Sequence, residues 1–267
     1  MTSELAQWLP AIERLAVEAG DRIMTVYRRE IEVSHKDDKS PLTEADLAAH
    51  RHIATGLQQL TPDIPLLSEE GAATPWETRR QWSRYWLVDP LDGTKEFIKR
   101  NGEFTVNIAL IDHGRPVLGV VHAPALDDTY VAAEGVGAFR LREGQRSPIH
   151  TRPFPQRPAI LASRSHRDGR TDAVLARFPD HDLTSTGSSL KFCLVATGEA
   201  DCYPRLGLTS EWDTGAAQCV VEQAGGRVLR LPDLAPLPYN GKDSLLNPEF
   251  VVVGDPSHDW APLFRDA

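Results

Sequence analysis

The chain has 267 residues, with 29 Lys and Arg against 38 Asp and Glu and a formal net charge of −9. That balance excludes a nucleic-acid polymer as its main partner, because DNA and RNA binding require a basic face. Hydrophobic residues at 41% and charged residues at 25% are ordinary for a globular protein. The length predicts one large domain or two closely joined ones.

Leu5, Trp8, Leu9, Ile12, Leu15, Ala16, Ala19, Ile23 and Tyr27 recur at helical spacing. They predict one amphipathic helix, interrupted or started near Pro10. The polar run at 34–41 (SHKDDKSP) reads as a loop, and a second helix is expected to begin near Thr43. The period then changes. Tyr85–Val88 is a short apolar strand that Asp89-Pro90 should stop, and residues 104–111 alternate in strand fashion. The turn Asp112-His113-Gly114 leads into 117–121, the pattern of a hairpin. Further strands are expected at 130–133 and 138–141. The segment 147–158, rich in proline and arginine, marks the boundary between an N-terminal half, 1–152, and a C-terminal half, 153–267. Beyond it the pattern predicts strands at 159–162, 200–203, 227–231 and 250–253. Helices are expected near 171–177, from Ser188, and at 213–224, the last closed by Gly225-Gly226. Grouped helices and strands of this kind imply layered α/β or α+β packing.

The cysteines Cys193, Cys202 and Cys219 form no CxxC pair, which argues against a disulfide framework or a zinc site and for a reducing cytoplasm. No stretch approaches the ~18 uninterrupted apolar residues of a membrane span. The first twenty residues carry acidic side chains foreign to a secretory signal. Nothing specifies an oligomer, and a monomer is the default expectation.

Four acidic segments could carry chemistry. Glu69-Glu70, after Leu66-Leu67-Ser68, has the composition of an exposed acidic turn. In Asp89-Pro90-Leu91-Asp92-Gly93-Thr94, two carboxylates three apart close a buried strand, where sheets present ligands. The turn between them exposes the Leu91 carbonyl, and Gly93 permits close backbone approach. Oxygen ligands of this kind suit Mg²⁺. Asp213 is placed either to cap a helix or to hold a cation at its N-terminus, where phosphate is also welcome. Thr43 and Asp46 fit a capping box.

Taken together and in order, SPLTEAD (40–46), LLSEE (66–70), WLVDPLDGT (86–94) and WDTGAA (212–217) resemble the inositol monophosphatase superfamily. Its members are metal-dependent, lithium-inhibited phosphomonoesterases, and the likeness spans nearly the whole chain. The runs at 89–114, SRSH (163–166), GSSLKFC (187–193) and Ser244-Leu245-Leu246-Asn247-Pro248 are similar to its 3'(2'),5'-bisphosphate nucleotidase branch. That branch hydrolyses adenosine 3',5'-bisphosphate, a by-product of sulfate assimilation, to AMP and phosphate.

The resemblance implies an α+β fold layered α/β/α/β/α, with the site between the halves. It implies one Mg²⁺ on Glu69, Asp89 and the Leu91 carbonyl, a second on Asp89, Asp92 and Asp213, and a weaker third that leans on Glu69 through water. Thr94, paired with Asp46, would orient and deprotonate the attacking water, with Glu70 acting from behind the ligands. Gly93, Ser188, Lys191 and Arg205, helped by His166, would contact a nucleotide whose second phosphate is not cleaved. Some relatives associate loosely with the cytoplasmic face of the inner membrane, so peripheral attachment is a further expectation. The rival readings are a phosphatase for inositol phosphate or fructose bisphosphate, and a non-catalytic metal or nucleotide sensor or RNA-binding module. Net charge speaks against RNA, and an intact carboxylate set with Thr94 speaks against a sensor.

Overall fold

The computed structural model describes residues 2–29, 41–162, 169–178 and 180–264. Helix α1 (Thr2–Tyr27) turns Leu5, Leu9, Ile12, Ala16, Ala19 and Ile23 inward, one apolar stripe at three- and four-residue spacing. It runs unbroken through Pro10, contrary to the expected interruption. Pro10 is exposed, and the buried stripe on either side holds the helix together across the missing amide donor. Helix α2 (Pro41–Leu60) packs along α1. It starts at Pro41, a residue suited to the first helical position because it has no amide to leave unpaired. Thr43 is therefore already inside the helix, not at the cap that a capping box requires. Apart from Pro41, the expected 34–41 loop lies outside the described residues.

Strand β1 (Leu66–Ser68) pairs in parallel with β2 (Arg84–Asp92) through the short helix α3 (Trp76–Arg79). β2 does not stop at Asp89-Pro90. Its pairing resumes at Asp92 after a register shift, with Asp89 opposite Asn107 and Asp92 opposite Thr105. One residue more on β2 than on its partner is a bulge, which bends the strand and re-aims its side chains. Helix α4 (Thr94–Lys99) follows at once. The sheet continues antiparallel through β3 (Thr105–Asp112), β4 (Arg115–Ala123), β5 (Asp128–Ala133), β6 (Gly137–Arg142) and β7 (Gln145–Pro148), in sequence order. β7 occupies the start of the expected linker. All four of its residues are exposed, so no apolar alternation announces it.

A second, mixed sheet has the order β11-β12-β10-β8-β9. Its strands are β8 (Ala159–Leu161), β9 (Asp182–Thr184), β10 (Cys202–Arg205), β11 (Arg227–Arg230) and β12 (Phe250–Val253). Its helices are α5 (Gly169–Leu175), α6 (Leu190–Ala196), α7 (Glu211–Gln223) and α8 (Ala261–Phe264).

Alternation along the strands sorts the core into layers. Trp86, Val88, Ile108 and Val120 face α1 and α2, meeting Ile12, Ile23 and Ile53. Leu87, Ala109, Ile111 and Val121 face the opposite way, onto Val195 of α6 and Ala216 and Val220 of α7, and the same cluster reaches Phe250 and Val252 of the second sheet. Ile160 and Val251 close the far side against Val174 of α5 and Phe264 of α8. The result is the five-layer α/β/α/β/α sandwich expected. α7 lies so close to the first sheet that a Cβ on Gly119 would stand 2.2 Å from the Ala216 carbonyl oxygen.

Candidate active site

The bulge at the end of β2 builds the first half of the site. The Leu91 amide donates to Asp89 Oδ1 at 3.0 Å, which folds the chain back on itself between the two aspartates. Gly93 then adopts φ +96°, a conformation that costs glycine nothing, and α4 begins at Thr94. At the end of β1 the Glu69 amide donates to the Val88 carbonyl at 3.1 Å, so the Glu69 side chain emerges beside Asp89. The other half comes from α7. Asp213 is its third residue, and Asp213 Oδ2 accepts from the Ser210 amide at 2.9 Å.

These elements bring one carboxylate oxygen each from Asp89, Asp92 and Asp213 within 4.8 Å of one another. Ser189, which is buried, stitches them together. Its hydroxyl accepts from Asn107 Nδ2 at 2.9 Å and has one proton to give to either Asp92 Oδ2, at 2.9 Å, or the Asp213 carbonyl, at 2.8 Å.

The cluster opens into a cleft of roughly 290 Å³ whose walls include Glu69, Leu91, Gly93 and Thr94 on one side and Ser188, Lys191 and Arg205 on the other. Lys191 and Arg205 are both buried. Lys191 Nζ donates to the Ser188 carbonyl at 2.7 Å and lies over the Tyr203 ring. Arg205 Nη2 donates to the Leu208 carbonyl at 2.9 Å, while its Nε has no partner among the described residues. Ser188 sits at φ +43°, unusual for a residue with a side chain, and its buried hydroxyl also has no partner there.

The electrostatics state what the cluster lacks. Burial, then Asp92, Glu69 and Asp213, push the Asp89 carboxyl well above its ordinary range. Burial and Asp92 push Asp213 up to about 7. Burial also raises Asp92, although Lys191 and the Ser189 hydroxyl pull it back. Burial lowers Lys191 to about 8, opposed by Asp92. Carboxylates that resist ionisation because they are buried and, at Asp89 and Asp213, face one another are a donor set fitted to a hard divalent cation, which offsets both penalties at once.

Asp46 stands apart from the cleft wall. It is buried on α2, and burial with the charge of neighbouring Glu70 raises it to about 8. Its near partner is Glu70. Among the described residues no direct hydrogen bond joins it to Thr94, which is exposed in the cleft. His166 lies outside the described residues. Ser189 and Asn107 were not singled out from the sequence. Asn107 had a signal, as the one amide in the apolar run TVNIAL (105–110). Ser189 had none that distinguishes it from Ser188.

A five-layer fold with three converging carboxylates at a strand bulge and a helix N-terminus defines a class. The chain belongs to the inositol monophosphatase family, whose model it matches over residues 4–250. Within that family it is 53% identical to the 3'(2'),5'-bisphosphate nucleotidase CysQ of Escherichia coli O6:H1, over 91% of this chain and 98% of that protein. It is 40% identical to the Haemophilus influenzae protein of the same name, over 94% of each chain. The crystal structure of CysQ from Bacteroides thetaiotaomicron superposes with a TM-score of 0.84 at 40% identity, covering 93% of this chain and 97% of that one.

Proposed function

We propose that this chain is a magnesium-dependent phosphomonoesterase that converts adenosine 3',5'-bisphosphate to AMP and phosphate. The observation that carries the reading is one cleft lined by Asp89, Asp92 and Asp213 on one side and by the buried cations Lys191 and Arg205 on the other. Close relatives bear the name of that activity.

Glu69, Asp89 and the Leu91 carbonyl would hold one Mg²⁺, and Asp89, Asp92 and Asp213 a second, with Glu69 supporting a weaker third. A divalent cation bound there supplies positive charge to a phosphate dianion and lowers the pKa of water. The protein contributes position and field. Thr94, open to the cleft, orients the attacking water. Asp46 and Glu70, side by side, take up the proton. Ser188, Lys191 and Arg205, with His166, hold the phosphate that is not cleaved, while Gly93 lets that substrate lie against the backbone. The residues 1–152 carry most of the cation-holding oxygens and 153–267 the nucleotide side, so the substrate bridges the two halves. A cytoplasmic monomer goes with this reading. Cys193, Cys202 and Cys219 are buried free thiols, and no helix among the described residues is long and apolar enough to cross a membrane.

The test measures phosphate release from adenosine 3',5'-bisphosphate, adenosine 3'-monophosphate and inositol 1-phosphate, with and without Mg²⁺. The bisphosphate should be preferred, and all activity should require the metal. Lys191→Ala and Arg205→Ala should each lower kcat/KM for the bisphosphate ~10- to 100-fold more than for the monophosphate, the scale of a hydrogen bond between charged groups. Equal losses on both nucleotides would remove the spectator-phosphate role. A preference for inositol 1-phosphate would overturn the nucleotidase reading and leave the phosphatase reading standing.

A further inference from the structure

Arg79 is buried to 2% exposure at the end of α3; its one ion pair among the described residues, with the largely exposed Asp243 carboxylate, is 3.8 Å long, and the buried Glu211 carboxylate adds its charge from further off. A buried guanidinium is costly unless its donors are used. Here the Nη donors are spent on one distant segment, while the buried Nε has no partner among the described residues. Arg79 Nη1 donates to Asn240 Oδ1 at 2.7 Å and to the Lys242 carbonyl at 3.1 Å, and Nη2 donates to the Asp243 carbonyl. Asn240 Nδ2 returns a bond to the Arg79 carbonyl at 2.6 Å.

The segment so gripped, 239–247, runs past the start of α7 and bonds to it at both ends. The Asn240 amide donates to Glu211 Oε2 at 2.9 Å, and the Glu211 amide donates to the Leu245 carbonyl at 2.9 Å. Ser210 and Leu246 form an antiparallel bridge. Asn247 Nδ2 donates to the Ser210 carbonyl at 2.8 Å and to Thr214 Oγ1 at 3.1 Å. On its outer flank the segment borders an open cleft of roughly 620 Å³ against the turn at 231–233. Its grip comes from Arg79, from backbone and side chains of the first turn of α7, and from buried Tyr239, whose amide donates to the Gly114 carbonyl at 3.1 Å and whose hydroxyl lies 2.8 Å from Gln218 Oε1.

We propose that Arg79 and Asn240 are positioning residues which, through the 239–247 strap, fix the N-terminus of α7 and hence the place of Asp213 relative to Asp89 and Asp92. The strap spans the two halves: Arg79 precedes β2, which carries Asp89 and Asp92, and α7 carries Asp213. This rests on the reading of those carboxylates as a cation site. The strap adds the element that sets their separation across the halves. Loss of the grip should loosen Asp213 and spare Glu69, Asp89 and the Leu91 carbonyl, which β1 and β2 hold by their own pairing.

The experiment is a calorimetric Mn²⁺ titration of the full chain, beside its melting temperature without metal. Arg79→Lys keeps the charge and loses the fork, and Asn240→Ala loses the bonds to Arg79's Nη1 and carbonyl oxygen. Val174→Ala, in the far layer, serves as a control of general destabilisation. Each of the first two should weaken one class of Mn²⁺ site by ~10-fold or more, the scale seen when groups behind metal ligands are removed. The control should melt earlier with its titration unchanged. Should both strap variants melt earlier yet bind Mn²⁺ as wild type does, the strap is structural only and the proposal fails. A wild-type chain that takes up no Mn²⁺ overturns the cation site itself, an outcome distinct from normal binding in all variants.

Discussion

Replacing Asp89 by asparagine should push stability and activity in opposite directions. The amide keeps the shape of the side chain and removes its charge. Oxygens of Asp89, Asp92 and Asp213 lie within 4.8 Å of one another. At that distance and an effective dielectric of ~20, each like-charge pair costs about 3.5 kcal/mol. The Asp89→Asn change would abolish two such pairs, ~7 kcal/mol between full charges, and would also remove the repulsion from Glu69 and Asp46. The true gain is smaller, because these carboxyls are pushed toward protonation and already shed part of the repulsion. A relief of about 2 kcal/mol would raise the melting temperature of the EDTA-treated protein by roughly 4–8 °C at pH 8. With saturating Mg²⁺ the same change removes the carboxylate assigned to both tight cations. Turnover should fall at least ~10³-fold, about 4 kcal/mol of barrier. Calorimetric scans in EDTA and phosphate-release assays in Mg²⁺ read the two arms. Near-normal turnover at saturating Mg²⁺ would refute the shared-ligand role. An unchanged melting temperature in EDTA would refute the view that repulsion strains the empty cluster.

The metal-free protein should lose stability as pH rises. Asp213 and Asp46 are pushed up to about 7 and about 8, chiefly by burial, whereas unfolded carboxyls titrate near 4. Between those values the folded state binds more protons, so its stability falls as pH climbs from about 4 to 8. Added Mg²⁺ should flatten the curve, and a flat melting profile in EDTA would contradict the shifts. Thr94→Ala and Asp46→Asn should each cut turnover with Mg²⁺ affinity preserved, and the double variant should cost little more than the worse single one. Strictly additive losses would separate the two residues, in keeping with the absence of a direct bond between them. Ser189→Ala strands Asn107 Nδ2 and one Asp92 oxygen, which should cost ~1–3 kcal/mol in a denaturant melt and weaken Mg²⁺ binding in a titration. Gly119→Ala forces a methyl against the Ala216 carbonyl, so denaturant melts should show a loss of ~1–3 kcal/mol or more.

Periodicity made α1 legible because it buries one face against a large neighbour, while the β3–β4 hairpin was legible from two apolar runs, buried on both faces, joined by the turn Asp112-His113-Gly114. Periodicity failed on β7 and β9, whose residues are all exposed and whose pairing rests on backbone hydrogen bonds that leave no hydropathy signal. It also ended β2 too early. A proline after an aspartate reads as a stop, and only the register with β3 shows the strand resuming beyond a bulge. The same division runs through the site. Asp89, Asp92 and Gly93 are readable because one short segment holds them. The grip of Arg79 on Asn240 joins residues 161 apart in the chain, and no local pattern encodes it.

What brings Asp213 to the other aspartates is legible only in retrospect, in the small residues that follow it. A Cβ on Gly215 would lie 3.0 Å from Leu87 Cδ2, and Gly119 faces the Ala216 carbonyl across the same interface. Helix and sheet therefore meet almost backbone to backbone, and Leu87 is two residues before Asp89 while Gly215 is two after Asp213. How closely the body of α7 can approach the sheet is thus limited by a contact with no spare volume, and the first turn, which carries Asp213, is placed on that base. Protein interiors resist such compression. The run WDTGAA combines a cation ligand with the residues that let its helix approach closely enough for that ligand to be used.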